Sequence, residues 1–515
     1  MSSSTVSFYT PFHAATVAEF SVLDLDQRSI AARAGLRTET SLQEAKQIYQ
    51  TGRSSQQDSS LSLQGLLLQD DSSLLRNSPT NWSSISVSGM NENMNVLAAL
   101  ASFYDDTTTI SQVGDAWILA ALDGINLDCA DSGCQVRFGT TTDFLAGRSG
   151  AVPTAVLLWS VWTSILAFLL QAQSIVCDSS DSSNNNQVAM EAWDKAFSLY
   201  TGSSAAGSLE DPVVGGGYFI YGWIQTEAEE FFGTTVLGQE APVNKELMQR
   251  FVQGRDWIAA TASGNNDCST FSQHVQRMMS LLQVPIVQGA LRNLYAMDLQ
   301  DDPRLMIKGE TAALGSVLAP LMSVCSSGSA DLVYQDMVTN SFLEEKVGSF
   351  EVIQSALQNQ YECLGITCQD VGGLWNTQRN GYLPRAEACG GVSPVDVTST
   401  VEADNSSSSS PSFNTSPITK KDDDKNKIAL GVGLGLGLPL CIALVFGIAY
   451  YFRRRRRRMD QDDAIASAAI EIETRSPEEK SSSPDDDHEI DTVVQACDCC
   501  GDDDGELKIE DGEFS

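Results

Sequence analysis

Histidine is nearly missing: three residues in 515, at His13, His274 and His488. His13 lies in the loosely patterned N-terminus, His488 in an acidic tail, and His274 stands alone in the helical segment STFSQHVQRMM. No Ser–His–Asp or Cys–His set can be assembled from these, and no HExxH helix is present. GLGLGL at 433–438 sits inside an apolar run, and GGG at 215–217 lacks a strand–turn–helix context, so neither reads as a phosphate-binding loop. The chain therefore reads as a non-enzyme. Positive charge is scarce as well: 32 Lys and Arg face 67 Asp and Glu, for a net charge of -35. That balance argues against nucleic acid and suits a soluble surface or a cationic ligand. Alternating strand patterns are few and short. Met1–Ile30 has no basic start and no clean apolar core before Asp24, so no secretory leader is readable there and the true start is expected upstream.

Long apolar runs, by contrast, are present. Ile428–Phe452 carries no charge, ends in Tyr450 and Tyr451, and is followed at once by Arg453, Arg454, Arg455, Arg456, Arg457 and Arg458. At about 1.5 Å per residue it is long enough for a hydrocarbon core of about 30 Å. The arginines mark the cytoplasmic side, and the tyrosines suit the interface. The expectation is a single-pass type I protein of the cell surface or endosomal membrane, N-terminus outside. A second uncharged stretch, 151–170, is read as a central core helix, because Pro153 and several Thr and Ser interrupt it; a second span is the alternative.

Eight cysteines precede the membrane run, an even number suited to disulfides in an oxidising compartment. The shortest spacings, Cys129/Cys134 and Cys363/Cys368, mark the expected local pairs. Asn81, Asn405 and Asn414 open glycosylation triplets, which agree with secretion.

Apolar residues at helical spacing recur along the body: Met94, Leu97, Ala98, Ala101 and Tyr104, then Trp193, Ala196, Phe197 and Tyr200, then Val287, Ala290, Leu291, Leu294 and Tyr295. SLQEAKQIYQTG predicts a helix opened by a Ser41–Glu44 capping box and closed near Gly52. The fold class is all-α: a multi-helix ectodomain with disulfides, one C-terminal transmembrane helix and a disordered acidic tail. Its parts are an N-terminal lead (1–40), the helical ectodomain (41–391), a Ser- and Asp-rich stalk (392–427), the span (428–452) and the cytoplasmic tail (453–515). Within the tail, CDCCG at 497–501 reads as reduced, unstructured thiols.

Several segments together carry a resemblance. EAWDKAFSLYTGSSAAGSLE (191–210), VPIVQGALRNLYAMD (284–298), GETAALGSVLAPLMSVC (309–325), VYQDM (333–337) and YECLGITCQDVGGL (361–374) resemble, in the same order, blocks of the phytotransferrins, the low-iron-inducible periplasmic proteins of microalgae. EAKQIYQTG (44–52) and DAWILAALDG (115–124) are similar more weakly. Two stretches depart from the pattern: ASFYDDTTTISQVG (101–114) is less aromatic, and YGWIQTEAEEFFGTT (221–235) matches only loosely.

The resemblance implies surface capture of ferric iron with carbonate as synergistic anion, internalisation by endocytic machinery at the tail, and release on acidification. Hard oxygen donors and phenolate suit Fe(III), and a planar guanidinium suits carbonate. Gln288, Arg292 and Tyr295 stand at i, i+4 and i+7 of one predicted helix, giving Arg292 and Gln288 the anion and Tyr295 the iron. Tyr200, Asp194, Glu310 and Tyr49 are the further metal candidates. Core packing is the competing role for both Tyr295 and Tyr200. The tail after residue 458 contains no Tyr, so it offers no tyrosine-based sorting signal. The rival function is a surface adhesion or scaffold protein that keeps the helical body without the metal.

Overall fold

Helical spacing of apolar residues persists almost throughout the body, and the computed structural model is accordingly a helical assembly; among the described residues the strands form two two-residue hairpins, Leu127–Asp128 with Gln135–Val136 and Trp375–Asn376 with Gly381–Tyr382. The structure describes residues 9–55, 61–68, 96–104, 109–128, 135–177, 185–203, 217–235, 238–261, 268–299, 305–339, 349–376 and 380–389. The chain divides into two units at residue 405, and every described residue belongs to the first. Cys129, Cys134, Asn81, Asn405, Asn414, the stalk, the run at 428–452, Arg453–Arg458 and the tail lie outside the described residues.

The centre of the fold is one long apolar element. Helix Thr142–Ala155 continues through a π-helical segment, Val156–Trp162, into helix Thr163–Cys177. Trp159 and Trp162 are fully buried, and each indole finds a partner: Trp159 Nε1 donates to Ser316 Oγ at 3.1 Å and Trp162 Nε1 to the Leu282 carbonyl at 2.9 Å. Satisfying these N–H groups lets large aromatic areas be buried without an orphaned donor. Helix Leu305–Ser323 lies against this element at close range, Gly309 meeting the backbone of Gly147. Phe144–Cys177 and Leu305–Ser323 are long and apolar enough to cross a membrane by length and composition, with 89% and 78% of their most apolar windows buried inside the fold. Residues 151–170 thus occupy the core position the sequence suggests.

Two further details differ from the sequence reading. The helix over Glu39–Thr51 starts earlier than expected: Thr38, not Ser41, is the N-cap, and Ser41 closes the capping box from the N3 position. Thr38 is extended (φ -121, ψ 152), the geometry an N-cap needs, while Ser41 is already helical. The helix does end at Gly52, whose φ of 75 releases the chain. Residues 14–35, read as a lead, form helices Ala14–Ser21 and Leu23–Gly35 of the body itself, burying Phe20, Leu23 and Ile30.

The described disulfides are Cys177–Cys268, Cys325–Cys363 and Cys368–Cys389. The expected local pair Cys363/Cys368 is therefore wrong. Cys363 lies in the one-turn helix Tyr361–Leu364, and Gly365 (φ 70) reverses the chain before Thr367 caps a second short helix that Cys368 opens. The reversal sends the two thiols toward different neighbours, at Cα separations of 5.9 Å to Cys325 and 5.5 Å to Cys389, both ordinary for a disulfide.

Candidate functional site

The polar feature that stands out in this apolar body begins with a local helix irregularity. Helix Ile220–Thr226 widens into a π-helical segment, Glu227–Phe232, that opens on Glu227. Such segments often accompany functional sites, because the extra residue per turn re-aims a side chain. Here it accompanies a carboxylate with no solvent exposure. The segment ends at Gly233, where φ is 57 and a Cβ would lie 2.6 Å from the Trp375 ring, so only glycine fits.

Arg292 arrives from helix Val284–Leu299. Its Nη1 donates to Glu227 Oε1 at 2.5 Å, its Nη2 donates to Glu310 of helix Leu305–Ser323, and its Nε donates to Asn293 Oδ1 at 3.1 Å. The guanidinium also lies over the Phe231 ring, 4.8 Å from its centroid. Trp223 Nε1 donates to the same Glu227 oxygen at 3.1 Å. Gly289, one turn before Arg292, leaves room for that indole: a Cβ there would stand 3.1 Å from Trp223 Cζ2. Both donors reach Oε1, and Glu227 Oε2 is buried without a hydrogen-bond partner.

A cavity of about 370 Å³ opens beside this cluster, lined among others by Glu227, Arg292, Glu310, Trp223, Tyr218 and Gln27. Gln27 Nε2 donates to the Pro153 carbonyl at 2.7 Å, and its Oε1, like Glu227 Oε2, is buried without a partner. Tyr218 is held at the rim by Asp24, whose Oδ1 accepts the Tyr218 amide at 2.6 Å, and its ring lies under Arg28. Burial pushes the Glu227 carboxyl up to about 7; Arg292 opposes the rise and Glu310 adds to it. For Arg292, burial favours the neutral form, but the two carboxylates outweigh it and raise its pKa.

The structure brings together two of the sequence candidates, Arg292 and Glu310. The others it places elsewhere. Gln288 donates to the Val371 carbonyl at 2.7 Å, and Tyr295 packs edge-on against Phe350, so the line Gln288–Arg292–Tyr295 faces three different neighbours. Tyr200 is sealed in the core, stacked on Phe251 and donating to Asn244 Oδ1 at 2.7 Å; burial raises its pKa well above the usual phenol value. Tyr49 donates to Asp115 at 2.9 Å, also in the core. Asp194 accepts from the Tyr9 hydroxyl at 2.5 Å and the His13 amide at 2.6 Å, tying the N-terminal segment to helix Asn185–Thr201. His274 is a satisfied helical residue, its Nε2 2.7 Å from the Arg250 carbonyl oxygen.

Sequence reasoning missed Glu227, Gln27 and Tyr218. The first and last fall in or beside a stretch noted only as a departure, and Gln27 in a segment read as a lead. An unpaired Glu in a helix with aromatic neighbours was the one available signal. Among the described residues, no group of three or more His, Cys, Asp or Glu is arranged to hold a metal. Compared with protein families, with curated proteins and with solved structures, the chain matches none.

Proposed function

We propose that this is a cell-surface protein that captures ferric iron together with carbonate for uptake, anchored by the apolar run at 428–452. The observation that carries this reading is the meeting of Arg292 and Glu310 with the buried Glu227 at one cavity. Two carboxylates around one guanidinium leave an excess of hard oxygen, which suits a highly charged, oxygen-preferring cation. Tyr218, among the residues lining the cavity, is the phenol this reading assigns to the iron. A carboxylate drawn to the metal vacates a guanidinium face, and that face suits the planar oxyanion. Cation and anion then favour each other, since each relieves the charge the other leaves. Acidification protonates carbonate and so removes ligands from the metal. Cys177–Cys268, Cys325–Cys363 and Cys368–Cys389 agree with an oxidising, extracellular or lumenal compartment. Endocytic machinery at the tail completes the proposed uptake route.

The test is a titration of the full-length chain in detergent with chelated Fe(III), with and without bicarbonate. A saturable visible band from tyrosinate bonded to iron, dependent on bicarbonate and lost on acidification, supports capture. An unchanged spectrum and melting temperature in folded protein rejects it and favours the adhesion or scaffold role. That second role has its own support: Tyr200, Tyr49 and Asp194 are engaged in internal hydrogen bonds and packing.

A further inference from the structure

Two residues that border the cavity, Glu227 and Gln27, each bury an oxygen without a hydrogen-bond partner, Oε2 and Oε1 respectively. Both are acceptors: Gln27 already uses its amide N–H toward the Pro153 carbonyl, which fixes which end of the amide faces elsewhere. Buried acceptors without a donor are costly, and two on residues bordering one cavity call for the same kind of partner, a cation or a donor-rich group. The charges point the same way. Arg292 is a single positive group between Glu227 and Glu310, and its Nη1, Nη2 and Nε are all engaged. It is therefore already neutralised and has no charge to spare for an anion while both carboxylates hold it.

A fixed carboxylate beside a second one suits a hard ion. Glu227 is held by Trp223 and Arg292 on the same oxygen and stands at the head of a π-helical turn, a fixed carboxylate with one unpartnered oxygen. The cavity, at about 370 Å³, exceeds by far the ~30 Å³ share of one water, so an ion can enter with part of its hydration or with an anion.

We propose that Glu227, Gln27 and Glu310 form a binding site for a hard, oxygen-preferring cation, and that Arg292 is an internal counter-ion which the cation displaces from Glu227. This rests on placing the captured ion of the preceding section in this cavity, and it goes further by assigning the ligands and naming Glu227 as the carboxylate that Arg292 gives up. It has an unusual consequence. Removing the positive charge of Arg292 strengthens cation binding when no anion is supplied, because the resident competitor is gone, while the same change weakens any binding that depends on carbonate.

The experiment uses Tb(III) as a hard trivalent probe on the full-length chain in detergent, without bicarbonate, reading emission sensitised by excitation of tryptophan. The Trp223 indole bonded to Glu227 is the antenna. Ions held by the acidic tail stay dark, because residues 453–515 contain neither Trp nor Tyr. The expected result is saturable emission whose affinity falls about tenfold or more in Glu227→Gln, rises about tenfold in Arg292→Gln, and stays within about threefold in Arg292→Lys. Gln27→Met, which removes the second orphan oxygen without changing charge, lowers affinity by a smaller factor. Circular dichroism establishes that each variant is folded before titration. Should Glu227→Gln bind Tb(III) as the wild type does, or Arg292→Gln bind it more weakly, the displacement site is wrong. Terbium binding that needs Glu227, in a protein with no iron band, keeps the cation site and rejects ferric capture; an iron band untouched by Glu227→Gln keeps ferric capture and rejects this site.

Discussion

Replacing Glu227 with Gln tests the energetic description of the cavity without any ligand. The carboxyl is fully buried, and its pKa rises from 4.5 to about 7, burial outweighing the pull of Arg292. An unfolded chain holds Glu227 in water, where it ionises in the ordinary range. Between pH 4.5 and 7 the native protein therefore keeps a proton that the unfolded chain has lost, and stability falls as pH rises through this window. Below the window both states are protonated and no penalty exists; above it both are ionised and the penalty is complete. Its size is about 2 to 4 kcal/mol, from the span of the shift at about 1.4 kcal/mol for each tenfold change. Gln is neutral and nearly the same shape, and so stands in for the protonated acid. The expected outcome is a variant about 2 to 4 kcal/mol more stable than wild type at pH 8 and equal to it at pH 4.5. Urea denaturation of the metal-free protein with intact disulfides, at both pH values, measures the difference. Asp24, Asp194 and Glu240 are also raised by burial, but they are common to both proteins and cancel in the comparison. A variant less stable than wild type at pH 8 would refute the reasoning, since it would mean that the Arg292 ion pair outweighs desolvation of the carboxylate.

Other consequences follow from the same contacts. Tyr200→Phe leaves Asn244 Oδ1 without its buried donor and should cost about 1 to 2 kcal/mol in urea denaturation, with no effect on an iron-dependent band because the phenol is bonded to Asn244 and is not among the residues lining the cavity. Cys325→Ser combined with Cys363→Ser opens a loop with a sequence separation of 38 and should lower stability by about 3 to 4 kcal/mol; a loss near zero would show that the loop is already constrained otherwise. Gly233→Ala combines a φ of 57 with a clash against Trp375, and a cost of at least about 1 kcal/mol is expected by thermal melting. Arg148→Met removes a fully buried guanidinium that bonds Glu39 and the carbonyls of Ala121 and Leu122, and should destabilise by about 3 kcal/mol or more in the same assay.

Much of the fold was legible because helical periodicity is a local property. Trp193, Phe197 and Tyr200 are buried on one helix face as their spacing implies, and 151–170 is a core element as its Pro and hydroxyl residues suggested. The candidate site was legible only in part. Arg292 was legible from its spacing with Gln288 and Tyr295, and Glu310 only as a further candidate, whereas Gln288 and Tyr295 share a helix with Arg292 and yet face other neighbours. Spacing fixes which residues lie along one line of a helix; it does not say which neighbouring element each part of that line meets.

The sequence by itself determined the helical class, the apolar character of the 151–170 stretch, the scarcity of histidine and the acidic balance of charge. Only the tertiary structure decided the disulfide partners, because Gly365 turns Cys363 and Cys368 apart and the true partners lie 38 and 21 residues away. Only the tertiary structure, too, decided that Glu227 belongs with Arg292 and Glu310. Those three residues come from separate helices, and the cost of burying a carboxylate depends on what the rest of the chain brings to within hydrogen-bonding distance of it.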